Sequence, residues 1–133
     1  MSAAAVLVDG VACDRVAATD RGLAFGDGVF RTLAVRAGRP LNWTWHYRLL
    51  LADCATLKIA APAEDLLLAE LRQAAPRDAA AKIIVTRGEA TRGYGIPRAA
   101  RATRVVMAFA PPWFPAEPAE QGVTVRRCAL ALA

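Results

Sequence analysis

The sequence predicts one α/β (α+β) domain, a sheet packed by two helices, and three observations carry that expectation. Two stretches, Thr44 to Lys58 and Ala63 to Gln73, bring apolar residues back at spacings of three and four, the period of one helix face. Residues 32–36, 82–87 and 103–109 form short apolar runs containing β-branched residues, the composition of strands. More than half of the 133 residues are hydrophobic, enough for the core of one ordinary domain.

Taken in order, Ala5 to Val8 is a strand closed by the turn pair Asp9-Gly10, after which Val11 to Cys13 returns antiparallel. Gly22, Gly26 and Gly28 then crowd a loop-like segment before the strand Thr32 to Arg36, and Ala37-Gly38-Arg39-Pro40 makes the next turn. The first helix should bury Tyr47, Leu50, Leu51, Cys54 and Leu57. The second should bury Leu66, Leu67, Leu68 and Leu71, and Ala75-Pro76-Arg77-Asp78 ends it. Strands 82–87 and 103–109 are expected to be neighbours in one sheet, joined through the glycine-rich segment Gly88 to Pro97. Four prolines, at 111, 112, 115 and 118, mark residues 111–121 as an extended connector. A new strand is expected from Gly122 to Arg127. The domain boundaries are therefore 1–110 for a small domain, 111–121 for the linker and 122–133 for the first strand of a further domain.

The net charge is +5, and fifteen of the seventeen basic residues are arginine; Lys58 and Lys82 are the lysines. The arginines are scattered and few aromatics accompany them, which argues against a nucleic-acid surface. Small anionic molecules suit them better, because guanidinium binds carboxylate and phosphate through two parallel hydrogen bonds. Cys13, Cys54 and Cys128 are far apart, odd in number and without ligand spacing, so neither a disulfide framework nor a metal site is expected. No basic leader precedes the first apolar run, and no stretch reaches the roughly 18 apolar residues of a membrane span. A reduced, cytoplasmic protein with no membrane partner is the expectation.

Two segments invite a chemical reading: Asp20-Arg21-Gly22-Leu23-Ala24-Phe25-Gly26-Asp27-Gly28-Val29-Phe30-Arg31-Thr32, and Thr86-Arg87-Gly88 followed by Arg92-Gly93-Tyr94. The second puts two arginines and a tyrosine in one connection, where their heads could converge on an anion. Together with a His46-containing helix between them, these segments resemble the N-terminal part of the fold-type IV pyridoxal-phosphate family. That family includes aminodeoxychorismate lyases, branched-chain aminotransferases and D-amino acid transaminases. The resemblance covers essentially the whole chain, and Arg92-Gly93-Tyr94 leans it toward the lyases.

The resemblance implies a small N-terminal domain with a mainly antiparallel sheet and two helices. It implies that Thr32, at the end of its strand, turns its hydroxyl toward the cofactor, and that Arg87, Arg92 and Tyr94 close over a carboxylate-bearing substrate. Asp20, Arg21 and Asp27 would brace their loop, and His46 would pack its helix. One departure concerns the cofactor phosphate. The family writes His-x-x-Arg-Leu on the first helix, whereas here His46-Tyr47-Arg48-Leu49-Leu50 puts Leu49 at the arginine position. Arg48 could serve only by bending back across roughly a quarter turn of helix.

The resemblance also implies a lysine that forms a Schiff base with pyridoxal phosphate, at a position beyond a strand like 122–127. Neither Lys58 nor Lys82 matches it. The chain is therefore expected to be an N-terminal fragment, inactive alone and without bound pyridoxal phosphate, of an enzyme that is a homodimer when intact. The implied activity converts 4-amino-4-deoxychorismate to p-aminobenzoate, a folate precursor, and pyruvate. A fold-type IV aminotransferase is the nearest alternative, and a non-catalytic domain binding an anion or a partner is the alternative of another class.

Overall fold

In the computed structural model, which describes residues 5–130, six strands form one sheet in the order β2-β1-β6-β5-β3-β4, with every neighbouring pair antiparallel. The strands are β1 (Ala5–Val8), β2 (Val11–Ala12), β3 (Gly28–Arg36), β4 (Arg39–Pro40), β5 (Ala79–Thr86) and β6 (Thr103–Phe109). The helices are α1 (Arg21–Phe25), α2 (Trp43–Leu57), α3 (Glu64–Ala74) and α4 (Glu117–Gln121). The α/β small domain with an antiparallel sheet and two principal helices is thus as expected.

The pleat decides what each face sees, because successive side chains point to opposite sides. Leu33 and Val35 of β3, Ala81, Ile83 and Val85 of β5 and Val106 and Ala108 of β6 are buried in one cluster with Leu50 and Cys54 of α2 and Leu67 and Leu71 of α3. Of the helix residues expected inside, Leu51, Leu57 and Leu66 are instead exposed, because helix and sheet meet along a stripe narrower than the apolar one. Glu70 of α3 is buried and accepts two hydrogen bonds of 2.6 Å each from Arg104 of β6, a bidentate pair that ties the helix to the sheet.

Several boundaries differ from the sequence expectation. β3 starts at Gly28 rather than Thr32, since Gly28 to Arg31 pair with Thr86 to Ile83, and cross-strand partners rather than local propensity extend the strand. β5 likewise starts at Ala79, because Ala79 to Ala81 pair with Val35 to Leu33 despite lacking β-branched side chains. The expected loop at 21–25 is the short helix α1, capped by the Asp20 carboxylate, which accepts from Gly22 N–H at 2.8 Å, and by Gly26 at φ +67°. The proline-rich connector carries α4, with Pro118 in its first turn, where a missing N–H costs nothing. Residues 122–130 are exposed and form no strand; among the described residues no sheet edge pairs with them, and a lone strand leaves its backbone groups to water. Residues 131–133 of the expected strand lie outside the described residues. Among the described residues, no helix is long and apolar enough to cross a membrane.

Candidate functional site

The two motifs that stand 66 residues apart in sequence interlock in space. Thr86 donates its hydroxyl to Asp20 at 2.9 Å and accepts from Gly88 N–H at 3.0 Å. Arg21 N–H donates to the Gly88 carbonyl at 2.9 Å. A Cβ on Gly22 would collide with the Thr86 side chain, and one on Gly88 with the Arg101 carbonyl, so both glycines are needed for close approach.

Asp27 sits at the centre of this junction. Its carboxylate accepts from Arg21 Nε at 2.7 Å and from Arg87 Nε and Nη2 at 2.8 and 3.0 Å. The hydrogen bonds from Arg87, opposed by burial and assisted by those from Arg21, hold Asp27 below the ordinary carboxylate range. Two cations around one anion leave a surplus positive charge, and backbone oxygens offset it. Arg87 donates to the carbonyls of Leu57 and Lys58 at 2.7 and 3.0 Å, at the negative end of α2. Arg21 donates to the carbonyls of Gly93, Tyr94 and Gly95.

This arrangement corrects one expectation. Arg87, expected to meet the substrate, is only 5% exposed and its guanidinium is taken up by Asp27 and the end of α2, so in this structure it braces the junction. Arg92 is exposed and makes no ion pair among the described residues, and Tyr94 is 87% exposed with its ring 5.3 Å from that of Phe25. These two remain free to meet a ligand. Asp20, Arg21 and Asp27 have the bracing role expected of them.

The sheet face away from α2 and α3 is open. Phe30, Thr32 and Ala34 of β3 lie there beside Ile84, Lys82 and Ala80 of β5, with Val105 and Met107 of β6 next in register. Near the α1 end, Val16, Leu23, Phe30, Ile84, Thr86 and Val105 line a groove of about 420 Å³, the size class of small-molecule sites. Thr32 is exposed, as a contact residue should be, but it stands in the middle of β3, not at its end. Its cross-strand partner is Lys82, close enough for the two side chains to act on one ligand. The Lys82 ammonium lies 4.6 Å from the centre of the Phe30 ring and has no carboxylate partner among the described residues. Sequence reading had placed Lys82 at the opening of its strand; the alternation of 80, 82 and 84 against buried 81, 83 and 85 was the signal, visible only once β5 begins at Ala79.

On the flank of α2, Arg48 is exposed and without an ion pair among the described residues. His46, Leu49 and Asp53 share one helix face, and Arg31 reaches it from β3 to pair with Asp53. Arg31 Nε and His46 Nδ1 are buried without hydrogen-bond partners. Burial first, and then the charge of Arg31, lower the His46 pKa. The cation that structure brings to this flank is therefore Arg31, a residue sequence reading did not single out.

No family model matches the chain. Among solved structures it is similar to 4-amino-4-deoxychorismate lyase from Pseudomonas aeruginosa, at 42% identity and a TM-score of 0.82, over 89% of this chain and 44% of that one. The branched-chain amino acid aminotransferase of Escherichia coli shares the fold at 16% identity and a TM-score of 0.75, over 87% and 43%. A fold IV transaminase from Curtobacterium pusillum matches at 28% identity and a TM-score of 0.58, over 75% and 34%. The chain spans less than half the length of these relatives. In fold the chain matches the small α/β domain of fold-type IV enzymes, and in sequence it is similar to the Pseudomonas lyase over that part of its length.

Proposed function

We propose that this segment is the substrate-facing small domain of a pyridoxal-phosphate lyase that converts 4-amino-4-deoxychorismate to p-aminobenzoate and pyruvate. The observation that carries the reading is the 42% identity to the Pseudomonas lyase against 16% to an aminotransferase of closely similar fold. The open sheet face supports it chemically. The substrate carries one carboxylate on its ring and one on its enolpyruvyl side chain; Lys82, on the open face with Phe30 and Ile84, and Arg92, in the exposed connection, are two cations without an ion pair among the described residues. A cation beside apolar side chains binds a carboxylate more tightly than in water, because the local dielectric is low.

The described residues do not supply the phosphate contact that the family makes from its first helix. Leu49 stands where the family has a phosphate-binding arginine, and Arg48 is turned to solvent. Arg31 cannot replace that arginine: it lies on the α2 side of β3, paired with Asp53, on the opposite face of the strand from Thr32 and Lys82. Pyridoxal phosphate, when bound, supplies the electron sink for bond breaking next to the amine. Thr32 offers a neutral hydroxyl across from Lys82 on the open face, a hydrogen-bonding group for a ligand bound there. The Schiff-base lysine would come from residues outside this chain, and the intact enzyme would be a homodimer.

The test uses the protein that carries this segment, supplied with pyridoxal phosphate and 4-amino-4-deoxychorismate. Stoichiometric pyruvate and p-aminobenzoate, formed without a keto-acid acceptor, are expected. Turnover that requires a keto acid would identify an aminotransferase instead. Absence of both activities would leave a binding domain.

A further inference from the structure

Every donor group of the Arg21 guanidinium is engaged, and most of them serve a single short segment. Nη1 donates to the carbonyls of Gly93 and Gly95 at 3.1 and 3.4 Å, Nη2 to that of Tyr94 at 3.2 Å, and Nε to Asp27. The guanidinium carbon lies 4.9 Å from the centre of the Phe25 ring, the same ring that meets Tyr94. Three successive carbonyls can converge on one cation only where the backbone curls around it. Gly93 allows this at φ +120°, a conformation that residues with side chains rarely adopt. Packing does not impose the curl: a Cβ at Gly93 or Gly95 would meet nothing within 4 Å, and Tyr94 is itself exposed. The segment takes its shape from the buried arginine beneath it.

We propose that Arg21 is the positioning residue of the site, setting the 92–95 segment and so the placement of Arg92 and Tyr94 without touching a ligand. Its effect on ligand binding rests on the functional reading above; its effect on the segment does not. Asp27 extends the clamp, because the same carboxylate holds Arg87 against the last carbonyls of α2. The position of Arg92 is thereby referenced to the end of a core helix. Lysine would keep the charge but lose the planar fork that reaches Asp27 and three carbonyls together.

Backbone ¹⁵N relaxation on the 133-residue chain tests this directly, with 4-aminobenzoate titrated as the probe. In the wild type, residues 93–95 should show order parameters of about 0.8, near those of rigid backbone. In Arg21→Lys they should fall below about 0.6 while β3, β5 and β6 stay near 0.85, and 4-aminobenzoate affinity should drop about tenfold. Gly93→Val, which strains the curl and leaves the buried arginine intact, should loosen the same residues and serves if Arg21→Lys does not fold. Unchanged order at 93–95 in the folded variants, or equal loosening of the whole sheet, would overturn the proposal. A wild type that ignores 4-aminobenzoate but loses segment order on substitution would instead discard the functional reading and keep the clamp.

Discussion

Asp27→Asn is the perturbation whose size follows most directly from the structure. The carboxylate is 15% exposed between guanidiniums that are 6% and 5% exposed, and it accepts three hydrogen bonds from them. The amide removes the negative charge and turns two N–H donors toward groups that can only donate. Breaking a buried ion pair by removing one partner costs about 3–5 kcal/mol, against a total of roughly 5–15 kcal/mol for an ordinary domain. For a chain of this length that is a fall in Tm of about 10–25 °C. The sign of the pH dependence is set by the depressed pKa of Asp27. Its contribution is complete above the unfolded carboxylate value, about 3.9, and is lost as pH falls through the lower folded value. Urea denaturation followed by circular dichroism should therefore show a large gap between variant and wild type at pH 7 that narrows below about pH 4. A loss under about 1 kcal/mol at pH 7, the scale of a surface pair, would refute the account of Asp27 as the hub of the motif junction.

Three further outcomes are expected. Gly88→Ala, which combines φ +88° with a Cβ driven into the Arg101 carbonyl, should cost at least about 2–4 kcal/mol, read as a lowered denaturation midpoint or loss of soluble protein. For Glu70 and Arg104, a double-mutant cycle to alanine should give a coupling of about 1–3 kcal/mol; additive losses would mean the bidentate contact contributes nothing specific. His46 is the sole histidine and its folded pKa is lowered by burial, so its neutral form stabilises the fold fully above about pH 6.5. That contribution should fade as pH falls from there through the folded value, and His46→Gln should flatten the stability profile below about pH 6.5.

The sequence by itself determined the class of fold, the two core helices and the family likeness, because each rests on local signals. Leu50 with Cys54 and Leu67 with Leu71 recur at helical spacing, and Val105 with Val106 marks a strand whatever its neighbours are. Thr32, Arg92 and Tyr94 are exposed in the structure, and their proposed contact with a ligand is a matter for the experiments above. The burial of Arg87 was not legible, since nothing local distinguishes a guanidinium that faces solvent from one buried against Asp27 and the end of α2. Lys82 and Arg31 were missed for a related reason: which face of a strand is open depends on where α2 and α3 dock, and the register of β3 against β5 depends on pairing across some fifty residues. Tertiary structure alone decided that Asp20-Arg21-Gly22 and Thr86-Arg87-Gly88 form one junction. Its hydrogen bonds exist only after the sheet has closed the loop between them, and the entropy of that closure is offset by burial elsewhere in the core.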